Sequence, residues 1–221
     1  MSKQKFDAAL FDIDGTILDT GDYIFKAYKY TIALHFKREI TWEEVVPVLG
    51  LPFKECYRIL TNLKEVNHLM ECHHQYQIQN SHTVTAYQNS LKTLRELKKA
   101  GVAIAAVTSH TGELLIRNLK IAGMDKFFKV IVTPFDVEKP KPDPESIFKA
   151  LEILRVKPER SVFIGDSPAD IEAGKAAGVK TIAALYGFHG ERLLETKPDF
   201  LVDDILQIIP IILSYKTGGG G

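Results

Sequence analysis

The stretch AALFDIDGTILDT, residues 8–20, decides the fold. Its first four residues are apolar, as expected for a strand that is buried on both faces of a parallel sheet. Two acids, Asp12 and Asp14, follow at once. A buried carboxylate costs free energy unless a cation or hydrogen-bond donors compensate it. The stretch therefore predicts either a turn into solvent or a pair of acids held for chemistry.

Further apolar runs have the length of strands, and helical patterns separate them. The runs are VAIAAVTS at 102–109, FKVIVT at 128–133, SVFIGD at 161–166 and VKTIAALY at 179–186. Segments between them, such as NSLKTLRELKKAG, place leucines at helical spacing and close on a glycine. This alternation predicts an α/β fold with a doubly wound, Rossmann-like parallel sheet.

Residues 20–83 interrupt the alternation, because they contain helical patterns but no strand-like run. Thr41 and Glu44 have the spacing of a capping box, and Gly50-Leu51-Pro52 predicts a turn. We therefore expect a helical subdomain inserted after the first strand. The tail, residues 216–221, ends in four glycines, and we expect it to be flexible and outside the fold.

The charge balance and the apolar pattern exclude several classes of partner. Lys plus Arg and Asp plus Glu each number 28 among the 221 residues, so nothing favours binding to nucleic acid or to an anionic membrane. No apolar run reaches membrane-spanning length, and Asp7 and Asp12 interrupt what would be a signal peptide. We expect a cytoplasmic monomer or homodimer whose partner is a small molecule.

Polar residues follow the predicted strands, at the edge where open α/β sheets bind ligands. They are Asp12 and Asp14, then Thr108, Ser109 and His110, then Lys139 and Lys141, and finally Asp166 and Asp170. Carboxylates packed together raise each other's pKa, and a hard divalent cation such as Mg²⁺ relieves the repulsion. With a lysine and a hydroxyl beside it, such an edge predicts a phosphoryl site, where one acid attacks phosphorus and another moves protons.

Four motifs stand in an order typical of one enzyme family. They are DIDGT at 12–16, VTSH at 107–110, KPKPDP at 139–144 and GDSPAD at 165–170. On these motifs the chain resembles the haloacid dehalogenase superfamily, in its phosphatase branch, over about residues 7–205. The resemblance implies an α/β core domain of residues 1–19 and 84–215. It also implies a helical C1 cap domain, residues 20–83, that closes over the site.

The resemblance assigns roles to the motif residues. Asp12 would be the nucleophile, and Asp14 would be the general acid/base. Thr108 and the Ser109 backbone would hold the phosphoryl oxygens. With Asp14, the chain resembles the phosphatases more than the dehalogenases of the superfamily. The dehalogenases lack an acid at this position, because a halide leaving group needs no proton.

The implied cofactor is Mg²⁺. Asp12, Asp166 and the backbone carbonyl of Asp14 would bind the ion, and Asp170 would bind it or orient its waters. These four aspartates are the candidate metal residues.

Other residues leave alternatives open. Lys139 and Lys141 both begin a K-P-x-P pattern, and the spacing to the helix KALEIL favours Lys141 as the phosphate-binding lysine. Lys54, after the Gly-Leu-Pro turn, is a candidate for substrate binding, and an ordinary solvated helix face is its alternative. His110 either contacts the substrate or caps the following helix.

These features predict a Mg²⁺-dependent phosphatase that acts through an aspartyl-phosphate on a small phosphorylated metabolite. The Gly-Leu-Pro turn and KPDPESIFKALEIL resemble phosphoglycolate phosphatases and related pyrophosphatases. One alternative is a mutase similar to β-phosphoglucomutase, although Phe53 or Lys54 stands nearest to where those mutases carry cap cations. Another is a non-catalytic phosphate-binding module.

Overall fold

The computed structural model describes residues 6–110 and 112–214. Its strands, in chain order, are β1 (Ala8–Phe11), β2 (Leu18–Asp19), β3 (Thr85–Ala86), β4 (Ala103–Val107), β5 (Val130–Val132), β6 (Ser161–Gly165), β7 (Lys180–Ala184) and β8 (Phe200–Val202). Six of them form a parallel sheet in the order β5-β4-β1-β6-β7-β8. The predicted doubly wound α/β sheet is confirmed, and the sequence reading missed its edge strand β8.

Strand β1 lies at the centre of the sheet, and its apolar run is explained by burial on both faces. Leu10 lies beside Ala105 of β4 on one side and Phe163 of β6 on the other. The chain passes from β1 to one half of the sheet and returns through β6 to the other half. The carboxyl end of β1 is therefore the switch point at which such sheets bind ligands.

Helices cover both faces of the sheet. The helices of the described residues are α1 (Gly21–Phe36), α2 (Trp42–Val45), α3 (Phe53–Thr61), α4 (Asn67–Asn80), α5 (Ser90–Lys99), α6 (Gly112–Ile121), α7 (Glu145–Leu154), α8 (Pro168–Ala176) and α9 (Ile208–Ser214). Apolar residues of α5, α6 and α9 share one buried cluster with Ala9 and Phe11, and those of α7 and α8 share another with Ala8 and Leu10. Alternate residues of β1 thus face opposite layers, as strand geometry requires.

Helices α1–α4 pack around a buried cluster of their own, which includes Tyr28, Ile32, Tyr57 and Leu69. The short antiparallel pair β2–β3 stands where the chain leaves the sheet for these helices and returns from them. The predicted capping box is present at α2, where the Thr41 N–H donates to Glu44 Oε2 at 2.8 Å. We refer to α1–α4 as the cap helices.

Two sequence expectations concern what surrounds this fold. The glycine-rich tail at 216–221 lies outside the described residues. Within residues 6–110 and 112–214, no helix combines the length and the apolar character needed to cross a bilayer.

Candidate active site

The ends of β1 and β6 bring three carboxylates together. The Asp12 N–H donates to the Ile164 carbonyl at 2.9 Å and so extends the β1–β6 pairing by one residue. Its carboxylate then faces Asp166, which follows β6, and Asp170 in the first turn of α8. Ligand oxygens of all three residues lie within 4.8 Å of one another, and all three are buried.

Asp12 is the least buried of these three acids, and one cation, Lys141, contacts it. Its side chain is 11% exposed, and Lys141 Nζ lies 3.0 Å from its Oδ1. Burial raises the pKa of Asp12 to about 7, with Lys141 opposing the rise and the nearby Asp170 and Asp14 charges adding to it. One lysine therefore does not fully compensate the acids that meet here.

Asp166 and Asp170 are fixed by donors from the protein. Asp166 accepts hydrogen bonds from Thr16 Oγ1 at 3.1 Å and from the Phe188 N–H at 2.8 Å. Burial, and then the charges of Asp12 and Asp170, hold the pKa of Asp166 well above its usual range. Asp170 accepts from the Ser167 N–H at 3.0 Å and the Ser167 hydroxyl at 2.7 Å, which makes it the acid of a capping box on α8.

This group of oxygens fits a divalent cation. Carboxylates are the hard ligands that Mg²⁺ prefers, and burial raises the pKa of Asp12 and of Asp166, with the charges of the neighbouring aspartates adding to the rise. The carboxylate of Asp14 is not part of the group, because it is bound elsewhere. Only its backbone carbonyl, as the sequence resemblance implied, is a candidate ligand.

Lys141, and not Lys139, reaches the carboxylates. Lys141 Nζ donates to Asp12 Oδ1 at 3.0 Å, to Asp170 Oδ1 at 2.5 Å and to the Val107 carbonyl at 3.1 Å. Burial by itself lowers the pKa of Lys141, but the two aspartates raise it overall, so the ammonium stays charged. Lys139 is exposed, and its backbone N–H donates to Glu145 Oε2 at 2.9 Å.

Asp14 forms a second, separate acidic centre. His110 Nδ1 lies 2.7 Å from its Oδ2, and the Thr20 hydroxyl donates to its Oδ1 at 2.8 Å. Burial raises the pKa of Asp14, but His110 and Thr20 outweigh burial and leave it lowered. Burial likewise lowers the pKa of His110, and the charge of Asp14 leaves it raised. His110 thus pairs with Asp14 and lines the cleft, and its contact with the substrate stays a prediction.

The end of β4 supplies two hydroxyl groups, and that of Ser109 contacts the Gly50-Leu51-Pro52 turn. Thr108 is buried, and its Oγ1 accepts from the His110 N–H at 3.1 Å. The Ser109 hydroxyl donates to the Gly50 carbonyl at 3.0 Å. Gly50 has φ +93°, and a Cβ there would lie 2.7 Å from Ser167 Cβ and Oγ. The Gly50-Leu51-Pro52 turn is thus seated directly on the loops that follow β4 and β6.

A cleft that is partly open to solvent lies between these loops and the cap helices. The sheet side presents Asp12, Asp14, Thr108, Ser109, His110, Asp166, Ser167 and Phe188. The cap side presents Ile24, Leu49, Gly50, Leu51, Phe53, Cys56, His74 and Gln77.

The cap side differs from the sequence expectation. Lys54 does not line the cleft, whereas its neighbour Phe53 does. His74 and Gln77 of α4 line the cleft, and neither was singled out from the sequence. Their spacing of three residues puts both on one helical face, which is the signal that could have marked them.

Comparisons with known proteins identify the family of the chain. The family model for haloacid dehalogenase-like hydrolases matches residues 9–184. Pyrophosphatase PpaX of Bacillus mycoides (strain KBAB4) is 33% identical over 210 residues, covering 94% of this chain and 97% of that protein.

Solved structures give the same result. A haloacid dehalogenase-like hydrolase from Bacteroides fragilis has a TM-score of 0.84 at 26% identity and covers 93% of this chain and 100% of its own. A predicted phosphoglycolate phosphatase from Haemophilus somnus 129PT has a TM-score of 0.87 at 22% identity, over 93% of this chain and 97% of its own, and so shares the fold. The chain belongs to the haloacid dehalogenase-like hydrolases.

Proposed function

We propose that this hydrolase is a Mg²⁺-dependent phosphatase that acts on a small phosphorylated metabolite through an aspartyl-phosphate intermediate. The observation that carries the proposal is the contrast between two neighbouring acids. Asp12 lies among Lys141, Asp166 and Asp170, whereas Asp14 is paired with His110. Two carboxylates in different surroundings can take the roles of nucleophile and proton carrier.

The first half of the reaction uses both acids. A carboxylate oxygen of Asp12 attacks phosphorus, and the bond between phosphorus and the leaving oxygen breaks. Asp14 passes to that oxygen the proton that it shares with His110, so the leaving group departs as an alcohol or as protonated phosphate. Asp12 is left as an aspartyl-phosphate.

The second half restores both acids. Asp14, now a carboxylate, takes a proton from a water molecule whose oxygen attacks the phosphorus of the aspartyl-phosphate. The bond from phosphorus to Asp12 breaks, inorganic phosphate leaves, and Asp12 is again a carboxylate. His110 stays beside Asp14 through both halves and stabilises its charged form.

Other residues of the site would bind the phosphoryl group. Thr108, the backbone of Ser109 and Lys141 are the candidates for its oxygens, and the ammonium of Lys141 offsets negative charge there. Mg²⁺, held by Asp12, Asp166, Asp170 and the Asp14 carbonyl, would supply positive charge to the phosphoryl oxygens and to the crowded carboxylates. The cap helices exclude bulk water from the cleft, which strengthens each of these interactions.

Similarity supports two substrate classes. The PpaX relatives are named as pyrophosphatases, and the motif resemblance included phosphoglycolate phosphatases. Both classes need the same attack on phosphorus, so the reaction follows from the site whichever bond is cleaved. The bond is either a phosphomonoester or a phosphoanhydride.

The test is phosphate release from p-nitrophenyl phosphate and from pyrophosphate, with Mg²⁺, by wild type and by Asp12→Asn. We expect the variant to lose activity by about 10³-fold or more, because an amide cannot form the intermediate. Asp22→Asn, on the exposed surface of α1, is the matched control and should match wild type. Near-normal turnover by Asp12→Asn would refute the mechanism. Glucose 6-phosphate formed from β-glucose 1-phosphate would instead identify a mutase.

A further inference from the structure

Apart from the carboxylates, much of the lining of the cleft is apolar. Ile24, Leu51 and Phe53 of the cap helices and their turns line it, together with Leu49 and Phe188. The Phe188 ring meets Trp42 edge-on at a centroid distance of 6.1 Å and so belongs to the same apolar wall. Among the described residues that line the cleft, none is a lysine or an arginine.

The cations near the site are already engaged. The Lys141 ammonium is hydrogen-bonded to Asp12 and Asp170 below the cleft, and His110 is paired with Asp14. Arg58 of α3 bonds the Lys64 carbonyl and pairs with Glu55 on the exposed face of that helix. Lys54, at the start of α3, is half-buried but does not line the cleft, so a second anionic group of a bound substrate would meet no lysine or arginine among the described lining residues.

Polar groups are still present on the cap side. The Gln77 amide and the His74 imidazole line the cleft from one face of α4. The Cys56 thiol also lines it, but this thiol bonds the Val48 carbonyl at 3.1 Å, and burial raises its pKa to about 11. The wall thus suits an apolar leaving group that carries a hydroxyl or another uncharged hydrogen-bonding group.

We propose that the enzyme selects phosphomonoesters of uncharged alcohols with an apolar body, and discriminates against substrates whose leaving group carries a second anion. The inference rests on the proposed phosphatase function and narrows its substrate class. The physical reason is that an anion moved from water to an apolar wall without a partner loses solvation that nothing replaces. It sets this chain apart from the pyrophosphatase activity in the names of its PpaX relatives.

Exposed cations lie outside this wall. Arg117 and Lys120 of α6 border an outer groove that shares only His74 with the cleft. Both side chains are exposed, so water screens their charges. They do not alter the apolar character of the space next to the transferred phosphoryl group.

The first test compares matched substrates of wild-type enzyme with Mg²⁺. Ethyl phosphate is paired with phosphoglycolate, and phenyl phosphate with para-carboxyphenyl phosphate; pyrophosphate is the fifth substrate. We expect kcat/KM to be roughly ten-fold or more higher for the uncharged member of each pair. The carboxylated phenol is the better leaving group, so chemistry alone would give the opposite order. Equal or higher kcat/KM for the anionic members, or for pyrophosphate, overturns the inference.

The second test places a cation in the wall. Leu51→Lys should raise the ratio of kcat/KM for phosphoglycolate over ethyl phosphate by roughly ten-fold, whereas the matched Leu51→Met should leave the ratio unchanged. His74→Gln should also leave it unchanged. A loss confined to the anionic substrates in His74→Gln would show that His74 serves them, and would overturn the inference.

A binding measurement tests the same preference without a substitution among the apolar residues that line the cleft. Calorimetry with Asp12→Asn and Mg²⁺ should show tighter binding of phenyl phosphate than of para-carboxyphenyl phosphate, and the reverse order overturns the inference. Different results would refute the phosphatase function and the substrate preference. If no ester and no pyrophosphate is hydrolysed, the proposed function falls and this inference with it. If the anionic substrates are hydrolysed best, the phosphatase stands and only this inference falls.

Discussion

His110 and Asp14 lie 2.7 Å apart, from Nδ1 to Oδ2, although 96 positions separate them in the chain. The contact exists because β1 and β4 are adjacent parallel strands, so the residues that follow each of them meet at one edge of the sheet. The pair lowers the pKa of Asp14 and raises that of His110, against the effect of burial on each. A proton is thus held within a short hydrogen bond beside the leaving-group space.

Removal of His110 should impair proton delivery more than binding. We expect His110→Asn to reduce kcat for an alkyl phosphate by about 10²-fold, because Asp14 loses the partner that sets its charge. The loss with p-nitrophenyl phosphate should be only a few-fold, since nitrophenolate leaves without a proton. Steady-state kinetics on both substrates measure the contrast.

The exposed His82→Asn is the control for this experiment and should behave as wild type. Equal losses on the two substrates would contradict a role in proton transfer and would assign His110 to the positioning of Asp14 alone.

The carboxylates around Asp166 should destabilise the metal-free protein. The pKa of Asp166 in the folded state lies above its usual value. At neutral pH, ionisation of this carboxyl group therefore lowers the free energy of unfolding. Asp166→Asn removes that effect and can keep the bonds to Thr16 and Phe188. In EDTA we expect the variant to melt a few degrees above wild type.

Added Mg²⁺ should reverse the order of the two proteins. Wild type should gain thermal stability with Mg²⁺, and Asp166→Asn should gain little, because a ligand is lost. The exposed Asp203→Asn should follow wild type in both buffers. A variant that melts below wild type in EDTA would disprove the repulsion argument.

The sequence was sufficient to predict the parallel sheet and the residues that meet at its carboxyl edge. Strands β1, β4 and β6 carry apolar residues on both faces. This pattern is typical of a parallel sheet whose two faces are covered by helices. Asp12 and Asp166 follow β1 and β6 directly, and Lys141 lies in the loop between β5 and α7, so the sheet topology brings these three residues to one edge. Strand β8 was missed because its three residues, with Leu201 exposed, give neither a long apolar run nor a clear alternation.

The cap side could not be predicted in the same way. Which face of α4 points at the cleft depends on how the cap helices sit on the sheet, and no local pattern encodes that placement. His74 and Gln77 therefore went unnoticed, and Lys54 was favoured over Phe53, which lies one position away. Lys54 was a candidate because its charge could bind a phosphorylated substrate, but it is the neighbouring Phe53 that lines the cleft.

His73 should make the protein sensitive to acid. It is buried between Tyr28 and Phe53 and bonded to Tyr57 at 2.8 Å, and burial lowers its pKa to about 3. The unfolded chain takes up a proton below about pH 6.5, and the folded chain does not. Stability is therefore lost as the pH falls from about 6.5 towards 3.

The measurement is urea unfolding in EDTA at about pH 7.5 and pH 5. Wild type should lose about 2 kcal/mol more than His73→Gln between the two values, because only wild type carries the titrating group. The comparison cancels the other titrating groups, including Asp12. Parallel losses in both proteins would show that His73 is protonated in the folded state.

The Gly50-Leu51-Pro52 turn packs closely against Ser167 because Gly50 has no Cβ. Gly50→Ala should lower kcat/KM by roughly ten-fold, because the new Cβ would lie 2.7 Å from Ser167 and push the turn off the site loops. Gly123→Ala is the matched control, since Gly123 also has a positive φ, of +68°, but has nothing within 4 Å of the added Cβ. Both variants should lose about 1 kcal/mol of stability from the left-handed backbone. Only Gly50→Ala should lose activity, and an equal loss in Gly123→Ala would mean that general destabilisation, not the contact with Ser167, accounts for the effect.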